Sequence, residues 1–398
     1  MRILYIDDKP DIRNLLQRYL TSWGYEAVGA ADGEEGWQLI QSLCPDIVVT
    51  DWMMPGLDGL ELCRRIRTAG LPRYVYVILL TARNVKEDLV VGMEAGADDF
   101  IGKPFEKLEL KARLNAAARI ISLERALEEK NRKLEDAYDV IKDDLEAAAR
   151  IQNSLIPQKV EIFSGITFDW LFCPSLFVAG DIFNIISIDE KTLAFYLLDV
   201  SGHGIPAALL STTLSRVLTP TPNFAGPMRH PLVAPPFYGI TAPRNVVAEL
   251  NERFMNDNVQ TQYFTIVYGI IDIQSASGTL TQAGHPSPIH QSADGSVRLI
   301  GDGGFPVGMI PEAEYEEHSF TINVGERLFL YSDGITECRG TDGVMFGTDR
   351  LLKIIRDGYR LSLRELMARI ERELAEFQGS SQFEDDISLL VMERREEV

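Results

Sequence analysis

The chain has 398 residues, too many for one ordinary hydrophobic core, so two or three domains are expected. Its 45% hydrophobic and 25% charged residues fit soluble globular protein, and no uncharged apolar run is long enough to span a bilayer. A formal charge of −20 opposes binding to nucleic acid backbones and anionic membranes, while clustered acids favour divalent cations.

The opening MRILYIDDKP carries charges within its first nine residues, unlike a secretory signal, so a cytoplasmic location is expected. Cys44, Cys63, Cys173 and Cys338 lie far apart with no CxxC spacing and read as reduced packing residues.

Residues 1–118 alternate short apolar runs (ILYI, DIVVT, VYVILLT, DFIGK) with helical patterns such as IRNLLQRYLTSWG. That alternation predicts five strands and five helices in a doubly wound α/β domain with a parallel sheet. Phosphoryl transfer to a carboxylate needs acids to hold Mg²⁺, an exposed acceptor Asp, a hydroxyl and a Lys. Asp7 and Asp8 close the first strand, Asp51 closes DIVVTD, Thr81 closes VYVILLT, and Lys103 lies in IGKPF. Ligands gather at such carboxyl ends in open α/β sheets.

Through VVTDWMMPGLDG, LLTAR and DDFIGKPF, this segment resembles the response-regulator receiver family. The resemblance implies Asp51 as phospho-acceptor and Mg²⁺ held by Asp7, Asp8, Asp51 and the Met53 carbonyl. It further implies Thr81 as switch hydroxyl, Lys103 as phosphate contact, Phe100 as switch aromatic, and a sensor histidine kinase or phosphotransfer protein as partner.

From Ile120 onward, Ile120, Leu127, Leu134, Ile141, Ala148 and Leu155 recur every seven positions, and Tyr138 and Leu145 partly fill a second seam position. Residues 119–156 are therefore expected to form a helical coiled-coil linker ended by Pro157. Lys130 and Asn131 interrupt the seam, so a parallel homodimer and a helix packed within the chain are both open.

Residues 157–398 alternate strand patterns (TLAFYLLDV, YFTIVYGIIDI, ERLFLYSD) with helical ones (PAALLSTTLSRVL, LRELMARIERELAEF), predicting one α+β domain. Thr219 to Pro243 holds seven prolines without periodicity and is expected to be an irregular loop. Acids mark four strand ends or turns: Asp181 in VAGDIFN, Asp199 in LLDVSGHG, Asp333 in YSDGITE, and Asp385 with Asp386 in FEDDISLLV. A few carboxylates, carbonyls and waters can hold two hard cations and activate a water for attack on phosphorus. Gly202 and Gly204 would permit the tight turn that aims the carbonyl beside Asp199.

These motifs, with QAGHPSPI and ARIQNSLIP, resemble the bacterial branch of the metal-dependent PPM phosphatases, the type found in sporulation and stress-response regulators. The resemblance implies two β-sheets flanked by helices, with Asp199 bridging two Mn²⁺ or Mg²⁺ ions. Asp181 would serve one ion, Asp333 and Asp385 the other, and Val200 would lend its carbonyl, with Asp386 competing for the role of Asp385. Where the family usually places another Asp three residues after GD, this chain has Asn184, a neutral donor. His203 and His285 lie in Gly-rich turns without partners at ligand spacing and read as structural.

The expected function is a response regulator whose phosphorylation at Asp51 controls dephosphorylation of a phosphoserine or phosphothreonine protein, by resemblance an anti-sigma-factor antagonist. The alternative is a phosphorylation-gated adaptor in which Asn184 marks decayed catalysis.

Overall fold

The computed structural model describes residues 1–82, 86–158, 161–163, 165–220, 226–233, 237–256 and 262–396, and the chain divides into two units, 1–139 and 140–398.

In the first unit, β1 (Arg2–Ile6), β2 (Glu26–Ala30), β3 (Ile47–Asp51), β4 (Tyr76–Thr81) and β5 (Asp99–Gly102) pair in parallel in the order β2-β1-β3-β4-β5. Both faces of these strands are apolar because both are covered. Leu4, Ile6, Val48, Val77 and Leu79 pack with Ile40, Leu62 and Ile66 of α2 (Gly33–Leu43) and α3 (Gly59–Thr68). On the other face Ile3, Tyr5, Val49, Ile78 and Leu80 meet Leu16 and Leu20 of α1 (Pro10–Ser22) and Leu110, Leu114, Ala117 and Ile121 of α5. Between β4 and β5 lies α4 (Lys86–Glu94). Asp32 and Asp58 cap α2 and α3 by accepting from the Glu35 and Glu61 N–H groups.

Helix α5 spans Lys107–Asn153, so it starts inside the segment expected to be receiver and continues without a break through the linker. Its first turns bury the stripe ending at Ile121, whereas Leu127, Leu134 and Ile141 are 54%, 69% and 58% exposed. The helix stops four residues before Pro157, consistent with the bias against α conformation ahead of proline. Leu155 does not extend the seven-residue stripe: with Ile156 it packs against the core of the second unit. Among the described residues no helix is long and apolar enough to cross a membrane.

In the second unit, two antiparallel sheets stack. The first has β8 (Ile182–Ser187), β9 (Thr192–Val200), β12 (Phe264–Asp272), β13 (Ser277–Ala283) and β16 (Glu317–Thr321) in the order β16-β13-β12-β9-β8. The second has β6 (Glu161–Phe163), β7 (Ile166–Cys173), β14 (Ile289–Gln291), β15 (Val297–Leu299), β17 (Arg327–Tyr331) and β18 (Ile387–Arg394) in the order β15-β14-β17-β18-β7-β6. Strand alternation assigns each residue a layer. In β9, Leu193, Phe195 and Leu197 enter the seam between the sheets, while Ala194, Tyr196 and Leu198 face α6 (Ile205–Leu218) and α7 (Pro243–Asn256). In β17, Leu328 and Leu330 enter the seam, and Phe329 and Tyr331 face α9 (Thr348–Asp357) and α10 (Leu363–Gln378). The short α8 (Asp333–Glu337) follows β17 directly.

The proline-rich segment is not wholly irregular. Arg229–Pro231 (β10) and Tyr238–Ile240 (β11) form an antiparallel hairpin, and Met228 is fully buried in the α6/α7 core. Positions 221–225 and 234–236 of that segment lie outside the described residues.

Because Leu127 and Leu134 are exposed, replacing both with Lys should change the melting free energy of the isolated chain by no more than about 0.5 kcal/mol. If the stripe is a dimer seam, sedimentation should show the same variant as a monomer, since charges are not buried there without large cost.

Candidate functional sites

At the carboxyl ends of the first unit's strands, carboxylate oxygens of Asp7, Asp8 and Asp51 lie within 4.8 Å of one another. Lys103 Nζ reaches both Asp7 Oδ2, at 2.5 Å, and Asp51 Oδ2, at 2.9 Å. Burial pushes the Asp51 carboxyl above its ordinary value, and the Lys103 ammonium opposes that shift. Asp8 Oδ1 is buried without a hydrogen-bond partner. Three convergent carboxylates with an orphaned oxygen fit a hard cation. Thr81 is buried at the end of β4, Phe100 is half-buried on β5, and the Met53 side chain is exposed in the loop after Asp51.

In the second unit, the acids gather where the inter-sheet seam ends. Asp199 continues the seam-facing series of Leu193, Phe195 and Leu197, and Asp181 shares the parity of seam-facing Phe183. A Cβ on Gly180 would stand 3.1 Å from the Val200 carbonyl oxygen, so the Asp181 turn lies against the carbonyl beside Asp199. A Cβ on Gly334 would meet the Asp386 carbonyl at 2.1 Å, and that close approach sets Asp333 beside Asp385. Gly202 and Gly204 have φ of +91° and +78°, the backbone conformation for which glycine was expected there. Asp385 is exposed and borders a cleft of about 220 Å³ with Gly334, Glu337, Arg339 and Glu384.

The electrostatics are those of acids crowded without compensating charge. Asp199 is pushed up to about 8 by burial and then by Asp333, Asp385 and Asp386. Asp181 is pushed well above the usual range by burial and then by Asp199, and Asp333 rises to about 6 by burial and Asp385. Asp181 Oδ2 is buried with no hydrogen-bond partner. These features fit divalent cations, although no three of these acids converge as closely as the receiver trio does.

Asp385 and Asp386 separate by partner. Asp386 is 6% exposed, and its Oδ1 accepts from the Ser175 N–H and hydroxyl while its Oδ2 accepts from the Gly180 N–H. It therefore fastens the loop that ends in Asp181, through charge-assisted bonds each contributing about 1.5–3 kcal/mol. Asn184 is not a neutral member of the acid set. It pairs with Tyr196 on the helix-facing side of the sheet, and its Nδ2 donates to the Leu155 carbonyl at 3.1 Å. His203 is exposed in the glycine turn, whereas His285 is buried with Nδ1 2.7 Å from Thr265 Oγ1.

One contact had no sequence expectation attached. Gln152, buried near the end of α5, accepts from the Ala179 N–H at 2.9 Å and donates to the Ala179 carbonyl at 2.7 Å and to Ser211 Oγ at 3.1 Å. Nothing in ARIQNSLIP set it apart, since Asn153, the next residue, is also an amide.

Residues 3–115 match the response regulator receiver domain, and residues 189–395 match stage II sporulation protein E (SpoIIE). The chain belongs to the SpoIIE family. It is 48% identical over 118 residues to the transcriptional regulatory protein AfsQ1 of Streptomyces coelicolor, a match covering 29% of this chain and 51% of that protein. It is 47% identical over 121 residues to the response regulator MprA of Mycolicibacterium vanbaalenii, covering 30% and 51%. The chain thus spans about half the length of the curated relatives it matches. The SiaA PP2C domain of Pseudomonas aeruginosa aligns with a TM-score of 0.54 at 20% identity over 66% of this chain and 99% of that one, a likeness of fold. This SpoIIE-family chain accordingly joins a receiver domain to a SpoIIE domain with a PP2C-like fold.

Raised carboxyl pKa values in the folded state mean that it binds more protons than the unfolded chain, whose Asp groups titrate near about 3.9. With a chelator present, melting temperature should therefore fall as pH rises from about 4 through 6 to 8, the range bounded above by Asp333 and Asp199. Saturating Mn²⁺ should flatten the profile, and a melting temperature that climbs with pH in the chelated protein would contradict the acid cluster.

Proposed function

We propose that this SpoIIE-family chain is a response regulator in which phosphorylation of Asp51 controls a metal-dependent protein serine/threonine phosphatase. The carrying observation is the gathering of buried Asp181 and half-buried Asp199 beside Asp333 and Asp385 at the open end of the seam, with Asp181 Oδ2 unpartnered. Asp199 would be shared by two cations, with Asp181 on one and Asp333 and Asp385 on the other, and Val200 would contribute its carbonyl. Mn²⁺ or Mg²⁺ bound there supplies Lewis acidity and a water acidic enough to attack phosphorus. Asp386 is assigned to holding the Asp181 loop, which leaves Asp385 for the cations. In the receiver, Asp7, Asp8, Asp51 and the Met53 carbonyl would hold Mg²⁺. There Lys103 stands ready to neutralise a phosphoryl group on Asp51, and Thr81 answers as switch hydroxyl.

Control needs a mechanical link, and Gln152 offers one: it grips Ala179, two residues before Asp181, from the end of the helix whose first turns form the receiver core. A phosphorylation-dependent shift at the α5 end would reposition the loop that carries Asp181. The adaptor alternative leaned on Asn184 as a lost ligand, and that residue lies on the helix-facing side, away from the acids. We assign the protein to the cytoplasm as a homodimer through the exposed α5 stripe. Its phosphodonor would be a sensor histidine kinase or phosphotransfer protein, and its substrate a phosphorylated anti-sigma-factor antagonist.

Purified protein should hydrolyse a generic phosphoester in Mn²⁺, and Asp199→Asn should lower the rate by at least about 100-fold. Inactivity of the wild type under every condition, with and without beryllofluoride on Asp51, would favour the adaptor. Gln152→Ala should retain basal hydrolysis within about tenfold yet lose the response to beryllofluoride, read as the ratio of rates with and without it. A full response in that variant would remove Gln152 from the link.

A further inference from the structure

Thr265 stands directly opposite Asp199 in the β9–β12 register. Opposed residues of an antiparallel pair put their side chains on one face, with Cβ atoms about 4.5–5.5 Å apart. Thr265 accordingly shares the seam face with Val267 and Ile271, at the end where the apolar core gives way to acids. Its hydroxyl is engaged by His285 Nδ1 at 2.7 Å.

His285 follows β13 at the same end of the first sheet and is 2% exposed. Nε2 has no hydrogen-bond partner. The Gln282 side chain donates to the His285 carbonyl and accepts from the Gly303 N–H, which fixes the main chain that carries the ring. Burial holds the imidazole down to about 3, so it is neutral and adds no positive charge among the acids. A residue that only filled space would have no use for the Thr265 hydroxyl, since valine has the same shape.

We propose that Thr265 and His285 act together as positioning residues, holding the strand opposite Asp199 in place and so fixing where that carboxylate stands in the metal-binding set. The inference rests on the metallophosphatase reading above. Neither residue touches the reacting groups in this scheme; both act through Asp199.

The test is Mn²⁺ binding to the full-length chain, followed by electron paramagnetic resonance of free Mn²⁺, in the wild type, Thr265→Val, His285→Ala, His285→Asn and the Thr265→Val/His285→Ala pair, all carrying Asp8→Asn and Asp51→Asn so that the receiver trio does not add to the binding. Thr265→Val and His285→Ala should each weaken Mn²⁺ binding about tenfold, the size expected for groups that orient ligands. The double variant should be no worse than His285→Ala, because the two form one unit. His285→Asn, whose amide can place an N–H near the position of Nδ1, should recover most of the affinity. At saturating Mn²⁺, the KM for a generic phosphoester should stay within about twofold of wild type. Wild-type affinity in Thr265→Val, additive losses in the double variant, or a change confined to melting temperature would each overturn the proposal. If His285→Ala does not fold, Thr265→Val decides alone. A wild type that binds no Mn²⁺ would sink the metallophosphatase reading and this inference with it, whereas equal binding by wild type and variants sinks only the inference.

Discussion

Ionised carboxylates taken out of water demand compensation, and the second unit places several of them where an apolar seam between two sheets runs out. Burial of an isolated charge costs several kcal/mol even after relaxation, so such groups take up protons, find donors or hold cations. The structure uses two of these solutions side by side. Asp386 is satisfied by three donors from Ser175 and Gly180 and serves the architecture. Asp181, with one buried oxygen left unpartnered, is pushed up by burial and by neighbouring acids against the weaker pull of the Ser388 and Ser332 hydroxyls. The difference in donors distinguishes a carboxylate that holds the fold from one available to a ligand. Gly180 and Gly334, whose Cβ atoms would strike neighbouring carbonyls, let the backbone close tightly around the second kind.

The receiver meets the same demand with a resident cation. Lys103 bridges Asp7 and Asp51, so that cluster is partly neutralised before any ion arrives, and Asp51 stays within reach as an acceptor. In the second unit the acids are raised first by burial and then by one another. One chain thus contains an acid trio balanced by its own lysine and an acid group that waits for external charge.

Much of this was legible in the amino-acid order. Strand-end acids beside glycines, parallel-sheet apolar runs and the α+β alternation all appear in the structure, because backbone geometry at a strand end is set locally. What could not be read was which way neighbouring residues face. Asp385 and Asp386 differ only by strand parity and by donors contributed from Ser175 and Gly180, far away in sequence. Asn184 looked like a substituted ligand until its parity put it beside Tyr196. Leu155 satisfied a seven-residue count, but the helix had already ended and the phosphatase core claimed the side chain. The β10–β11 hairpin hid among prolines, which are admitted at the edge of so short a ribbon.

Strand β9 carries a further consequence. Every residue from Leu193 to Leu198 is committed to one layer or the other, and Asp199 inherits its place from that count. A single residue inserted or deleted within β9 ahead of Asp199 would exchange the two faces beyond it, sending the acid into the helix-covered core and a valine into the seam. The acidic set therefore has a fixed address. Over evolutionary time such a site can be lost or regained by substitution at its own positions, but it cannot drift along the strand, and length variation is left to connections such as the one between α6 and α7.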